Sequence, residues 1–163
     1  MTFAHIAHGA SVFVDANTLV YHFTADPKYG PACKLLIERI ARAEIRGVTS
    51  AHVVSDVAHR VMTVEAMAVL GLPAKGIAYR LRKNPTEIQR LTKFRQAVRE
   101  ITQVGIRVVP VDLPLMDAAA VLSQQHGLLT GDALIAAVMR QHGLTGIASL
   151  DDDFDRVPGL TQY

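Results

Sequence analysis

The sequence predicts an α/β domain built on a parallel sheet with helices on both faces. Two observations carry that expectation. Short apolar runs of strand length alternate along the chain with longer stretches in which apolar residues recur at helical spacing. Two of those runs, at 11–14 and 147–150, close on a carboxylate, Asp15 and Asp151, and open α/β sheets place ligand sites at the carboxyl ends of parallel strands. Composition agrees: of 163 residues 50% are hydrophobic and 20% charged, enough for one core and without the signature of disorder.

The elements follow in order. Ser11 to Val14 reads as the first strand. Pro31 sits early in a helix whose Leu36, Ile37, Ile40 and Ala41 make one apolar stripe. Gly47 reads as the end of that helix, and Val48 to Ser50 as a short second strand. From Ala51 to about Leu70 a long helix puts Val53, Val57, Val61 and Val64 on one face and is closed by Gly71 and Pro73. Asn84-Pro85-Thr86-Glu87 has the form of a helix start, with a cap, a first-turn proline and an acid three residues past the cap. That helix is predicted to run to about Gln103. Ile106 to Val109 reads as a strand, Asp112 to His126 as a helix ended by Gly127, Gly131 to His142 as another ended by Gly143, and Ile147 to Leu150 as the last strand. No repeat, low-complexity tract or linker interrupts the pattern, so residues 1–163 are expected to form a single domain.

Other classes are disfavoured. No apolar run is long enough to span a bilayer, the first ten residues lack the pattern of a signal peptide, and the one cysteine, Cys33, cannot form an internal disulfide. The expected location is the cytoplasm. A formal charge of +2 is too small to imply nucleic-acid binding by itself.

Chemistry enters with the acids. Asp15, Asp151 and Asp132, which opens a helix in Thr-Gly-Asp-Ala-Leu-Ile-Ala-Ala, are placed to converge at one sheet edge. Uncompensated they would repel and take up protons, whereas a divalent metal holds them ionised and suits phosphodiester chemistry. The residues here resemble a known family. Val-Asp-Ala-Asn at 14–17, an acid-bearing helix after Thr49-Ser50, Gly-Asp-Ala-Leu-Ile-Ala-Ala at 131–137, and Ser-Leu-Asp-Asp-Asp-Phe followed by Val-Pro-Gly-Leu within 149–160 are similar to the PIN domain, most closely to the VapC-type ribonuclease toxins.

That resemblance implies a PIN-like three-layer α/β/α fold with a central parallel sheet and a helical insert. It implies a single-strand RNA endonuclease with Mg2+ or Mn2+ in an acidic pocket, pairing as a homodimer and neutralised by a small antitoxin. By matching position Asp15, Asp132 and Asp151 take the metal, with Asn17, Ser149 and Asp153 in support. The family's second acid is usually glutamate, whereas this chain offers Asp56, one methylene shorter. Glu65 lies nine residues further on, about 13 Å along the helix. Asp56 is therefore expected to complete the catalytic set.

A basic stretch is the second informative feature. Between 80 and 107 stand Arg80, Arg82, Lys83, Arg90, Lys93, Arg95, Arg99 and Arg107 against Glu87 and Glu100. Arg80, Arg82, Lys83, Arg90 and Lys93 are the candidates for holding RNA phosphates. The insert from about Met62 to Gln103 also carries Met67, Leu70, Leu72, Ile77, Leu81, Ile88 and Leu91, a set suited to a partner helix laid in a groove. The seven histidines show no paired metal-site spacing and read as structural or surface residues. Two other readings stand beside the nuclease: a PIN-like binding module without catalysis, and a phosphatase with Asp15 as nucleophile. The phosphatase would want a second acid at 17, where this chain has Asn17.

Overall fold

Val12, Phe13 and Val14 are successive apolar residues, so strand β1 (Ser11–Val14) can be buried on both faces, and it occupies the centre of the sheet. The structure, a computed structural model, describes residues 3–163. Around β1 lie β2 (Arg46–Ser50), β3 (Arg107–Val109), β4 (Gly146–Ala148) and β5 (Thr161–Gln162), all parallel, in the order β3-β2-β1-β4-β5. The chain moves outward from β1 to β2 and β3, then returns to the other side of β1. Right-handed crossovers therefore put the two groups of helices on opposite faces. In one group α1 (Ala16–Phe23) packs on α2 (Gly30–Ala41) and α3 (Ala51–Leu70), and α3 packs on α6 (Lys93–Gln103); in the other α7 (Leu113–His126) packs on α8 (Thr130–Gln141). Two short helices, α4 (Ile77–Lys83) and α5 (Pro85–Arg90), form the insert against α3. The chain has the predicted α/β architecture, a central parallel sheet between two helical layers.

Four details, among other differences from the sequence reading, show how packing alters it. Gly47 lies inside β2 and does not end α2. Helix α2 is closed by Ala43 at φ 56, with Ala43 N–H on the Ile40 carbonyl and Glu44 N–H on the Arg39 carbonyl, the double bond of a Schellman closure. Gly47 answers a packing demand instead, because a Cβ there would come within 2.8 Å of Ile40 Cδ1 and 3.1 Å of Ile106 Cγ1. The helix expected from Asn84 to Gln103 is two helices, broken at Leu91 and Thr92, and Asn84 spends its side-chain amide on the Arg80 carbonyl and does not cap α5.

That break has a cause on α3. Glu65 takes the next turn of the Val53, Val57, Val61 face and is itself buried. Its two carboxylate oxygens accept from Thr92 N–H and Lys93 N–H, each at 2.9 Å, so the amino end of α6 is capped from another helix. The third difference is β5, a two-residue strand paired to β4 beyond the run expected to be last. The fourth concerns the insert. Ile77, Leu81 and Leu91 are buried with Ala66 in a second small core, and Met67, Leu70, Leu72 and Ile88 pack against it half-buried, so the insert is a packed unit with part of its apolar set still at the surface.

Candidate metal centre

Strands β1 and β4 are neighbours whose following connections leave in opposite directions, and such a switch point opens a crevice at their carboxyl ends. Asp15 is the first residue past β1. It caps α1, with Ala16 N–H donating to Oδ1 at 2.6 Å, and Ser149 Oγ donates to Oδ2 at 2.7 Å from the residue past β4. Ser149 Oγ in turn accepts Asp151 N–H, and Asp151 Oδ1 accepts Asp153 N–H, so one short chain of hydrogen bonds joins the two strand ends. Thr18 Oγ1 on the Ala148 carbonyl and Thr49 Oγ1 on the Val14 carbonyl, both at 2.9 Å, pin this edge further. Asp132 comes to the same crevice from the first turn of α8.

One ligand oxygen from each of Asp132, Asp151 and Asp153 lies within 4.8 Å of the others. Asp15 faces the same cavity, of about 390 Å³, with Asp132 and Asp151 on its wall. Burial first, and then the neighbouring acids, disfavour the ionised carboxylates. Burial pushes the Asp15 carboxyl up, the Ser149 and Ala16 hydrogen bonds oppose this, and the Asp151 charge adds to the rise. Asp132 is pushed up to about 6 by burial and then by the charges of Asp151, Asp15 and Asp153. An all-oxygen set of carboxylates that raise one another's proton affinity fits a hard divalent cation such as Mg2+ or Mn2+.

This sets a pH dependence whose sign is opposite to that of a salt-bridged carboxylate. Between its unfolded value, near 3.8, and its folded value, about 6, Asp132 holds more proton in the native state. Metal-free stability should fall as pH rises through that window, since the ionised form is the one the fold disfavours. Mn2+ should abolish the fall, and its affinity should weaken below about pH 6, where Asp132 takes a proton. Thermal melts with and without Mn2+ from pH 4 to 8 check this; metal-free stability that rises steadily through the window would contradict it.

The other expected residues are placed as follows. Asp153, expected only to support the loop, belongs to the close carboxylate group while also pairing with Arg156 at 2.8 Å. Asn17 donates to Asp15 Oδ2 at 3.4 Å. Asp56 lines the cavity but is exposed, lies 3.8 Å from Arg60, and is absent from the close group. Arg80, Arg82 and Lys83 end α4, Arg90 ends α5 and Lys93 begins α6; none of the five lines the cavity.

Two cavity residues were not read as functional from sequence, Arg60 standing there only as an ion-pair partner four residues after Asp56. Arg60 donates from Nη1 to Asn17 Oδ1 at 2.6 Å. His52 has Nδ1 2.8 Å from Ser50 Oγ, and burial lowers its pKa against the favourable backbone contact at Gly131. The signal was present: His52, Asp56 and Arg60 recur every four residues, which aligns them on one face of a helix that begins at a strand's carboxyl end.

The family model for the PIN domain matches residues 12–160. No curated protein matches the chain in sequence. Among solved structures, the chain is similar to VapC20 of Mycobacterium tuberculosis, described as a toxin cleaving the sarcin-ricin loop, with TM-score 0.61 and 18% identity over 91% of this chain and 96% of that one. It is also similar to VapBC2 of Rickettsia felis, bound to a DNA fragment from its promoter (TM-score 0.57, 16% identity, 94% and 97% covered). A third is a toxin-antitoxin complex from Klebsiella pneumoniae (TM-score 0.55, 18% identity, 92% and 95% covered). With the match running from β1 through the residues after β4, the chain belongs to the PIN domain family.

Proposed function

We propose that this protein is a metal-dependent endoribonuclease that cuts single-stranded RNA in the cytoplasm as the toxin of a toxin-antitoxin pair, working as a homodimer. The observation that carries the reading is the gathering of Asp15, Asp132, Asp151 and Asp153 at the switch point, with Asp132 pushed up to about 6. These four residues would hold Mg2+ or Mn2+. When bound, the ion supplies charge for the phosphate and acidifies a water for in-line attack. The protein's own part is preorganisation: Ser149 and Ala16 fix the Asp15 carboxylate, and the Asp153 amide fixes that of Asp151. Neutral His52 and the half-buried Arg60 complete the wall.

A phosphatase with Asp15 as nucleophile is less well supported. That chemistry wants a second acid at position 17, which here holds an amide committed to Arg60. The test is to incubate the purified chain with a mixed single-stranded RNA pool in Mn2+ and in EDTA, then map the product ends. Cleavage in Mn2+ alone, leaving 5′ phosphates, and its suppression by the protein encoded beside it are the expected results. Intact RNA in Mn2+ would leave the binding-module reading. No helix among the described residues is long and apolar enough to cross a membrane.

A further inference from the structure

Arg60 is the one arginine or lysine on the wall of the acidic cavity among the described residues. Its place is built. Nη1 donates to Asn17 Oδ1 at 2.6 Å and lies 3.8 Å from Asp56 Oδ2, while Asn17 presents its amide nitrogen to Asp15 at 3.4 Å. The orientation of the Asn17 amide follows from its neighbours, because the reverse would set an N–H against the guanidinium and an oxygen against the carboxylate. Nη2 and Nε of Arg60 have no protein partner among the described residues. A guanidinium with two donors held beside a group of acids, and not consumed by them, is suited to an anion that must come close to those acids.

We propose that Arg60 grips a backbone phosphate of the RNA next to the acidic group, and that Asp56 and Asn17 are its positioning residues, Asp56 not being a metal ligand. This rests on the ribonuclease reading and adds a residue to it. The aspartate at 56 then has a physical use. From one turn below Arg60 on α3 it keeps the guanidinium over the cavity, while its carboxylate stays outside the close group formed by Asp132, Asp151 and Asp153. A phosphate supplies the pair of oxygens that the remaining donors of a guanidinium match.

The test uses the whole chain with a fluorescent single-stranded RNA pool, read by anisotropy with Ca2+ in place of Mn2+, and by cleavage kinetics with Mn2+. Arg60→Gln is expected to weaken RNA binding at least tenfold and to make the salt dependence shallower by about 0.7 in log-log slope, one phosphate contact on a single strand. Mn2+ affinity, read by titration without RNA, should be unchanged or tighter. Arg60→Lys should recover part of the binding. Asp56→Asn should raise KM severalfold with little change in kcat or Mn2+ affinity, and Asp56→Glu should recover it. Unaltered RNA affinity and salt slope in Arg60→Gln would overturn the assignment of Arg60, and a tenfold loss of Mn2+ affinity in Asp56→Asn would make Asp56 a ligand and overturn its role. Wild-type protein that neither binds nor cuts RNA would fail the ribonuclease reading itself, and this inference with it.

Discussion

Asp15→Asn is expected to lower Mn2+-dependent cleavage at least about a hundredfold while leaving the melting temperature in EDTA no lower than that of the wild type. The two halves of this result have separate causes. Activity is expected to fall because a formal charge leaves the group proposed to hold the ion. Stability is kept because asparagine retains an oxygen for Ala16 N–H, and Ser149 can turn its hydroxyl to accept from the new amide. Burial and the Asp151 charge already disfavour the ionised carboxylate, so its removal relieves the metal-free fold. Asp15→Ala is the control. It loses the cap of α1 as well, at about 1 kcal/mol, or roughly 2–4 °C for a chain of this size. An Asp15→Asn protein that cuts RNA at the wild-type rate would remove Asp15 from the metal site.

Glu65→Ala should do the reverse, costing stability and sparing chemistry. The residue is 5% exposed, and its carboxylate holds Thr92 N–H and Lys93 N–H, the amides that open α6. Truncation removes two bonds to a carboxylate at the start of α6 and empties a buried place on α3, a loss of about 3 kcal/mol, or roughly 6–12 °C in melting temperature. Glu65→Gln should lose less, since its amide still accepts one of the two. Cleavage per folded molecule, assayed well below the melting range, should match the wild type in both. Wild-type melting with lost cleavage would instead place Glu65 in the functional site.

The contrast between these two acids shows what was legible. Asp15 could be read because its meaning is local: a carboxylate that ends an apolar run sits at a strand's carboxyl end, whatever lies elsewhere. The same holds for Asp112, whose side chain accepts Leu115 N–H to start α7, and for Gly71 and Gly127 at left-handed φ after α3 and α7. Glu65 could not be read that way, because its partners are 27 and 28 residues distant and nothing at 65 names them. Without that long-range cap the stretch from Asn84 to Gln103 has no visible reason to break. Gly47 failed likewise: its lack of a side chain answers Ile40 and Ile106, not its own backbone conformation.

By itself, then, the sequence determined the α/β class, the first four strands with the longer helices between them, and the acids at the ends of β1 and β4, since each follows from periodicity and capping over a few residues. Only the tertiary structure decided which charges face one another. It drew Asp132 to Asp151 and Asp153, brought Arg60 to Asn17, and buried Ile77, Leu81 and Leu91 with Ala66. Those outcomes depend on distances between segments far apart in the chain, and Coulomb and packing energies act through space without regard to sequence separation.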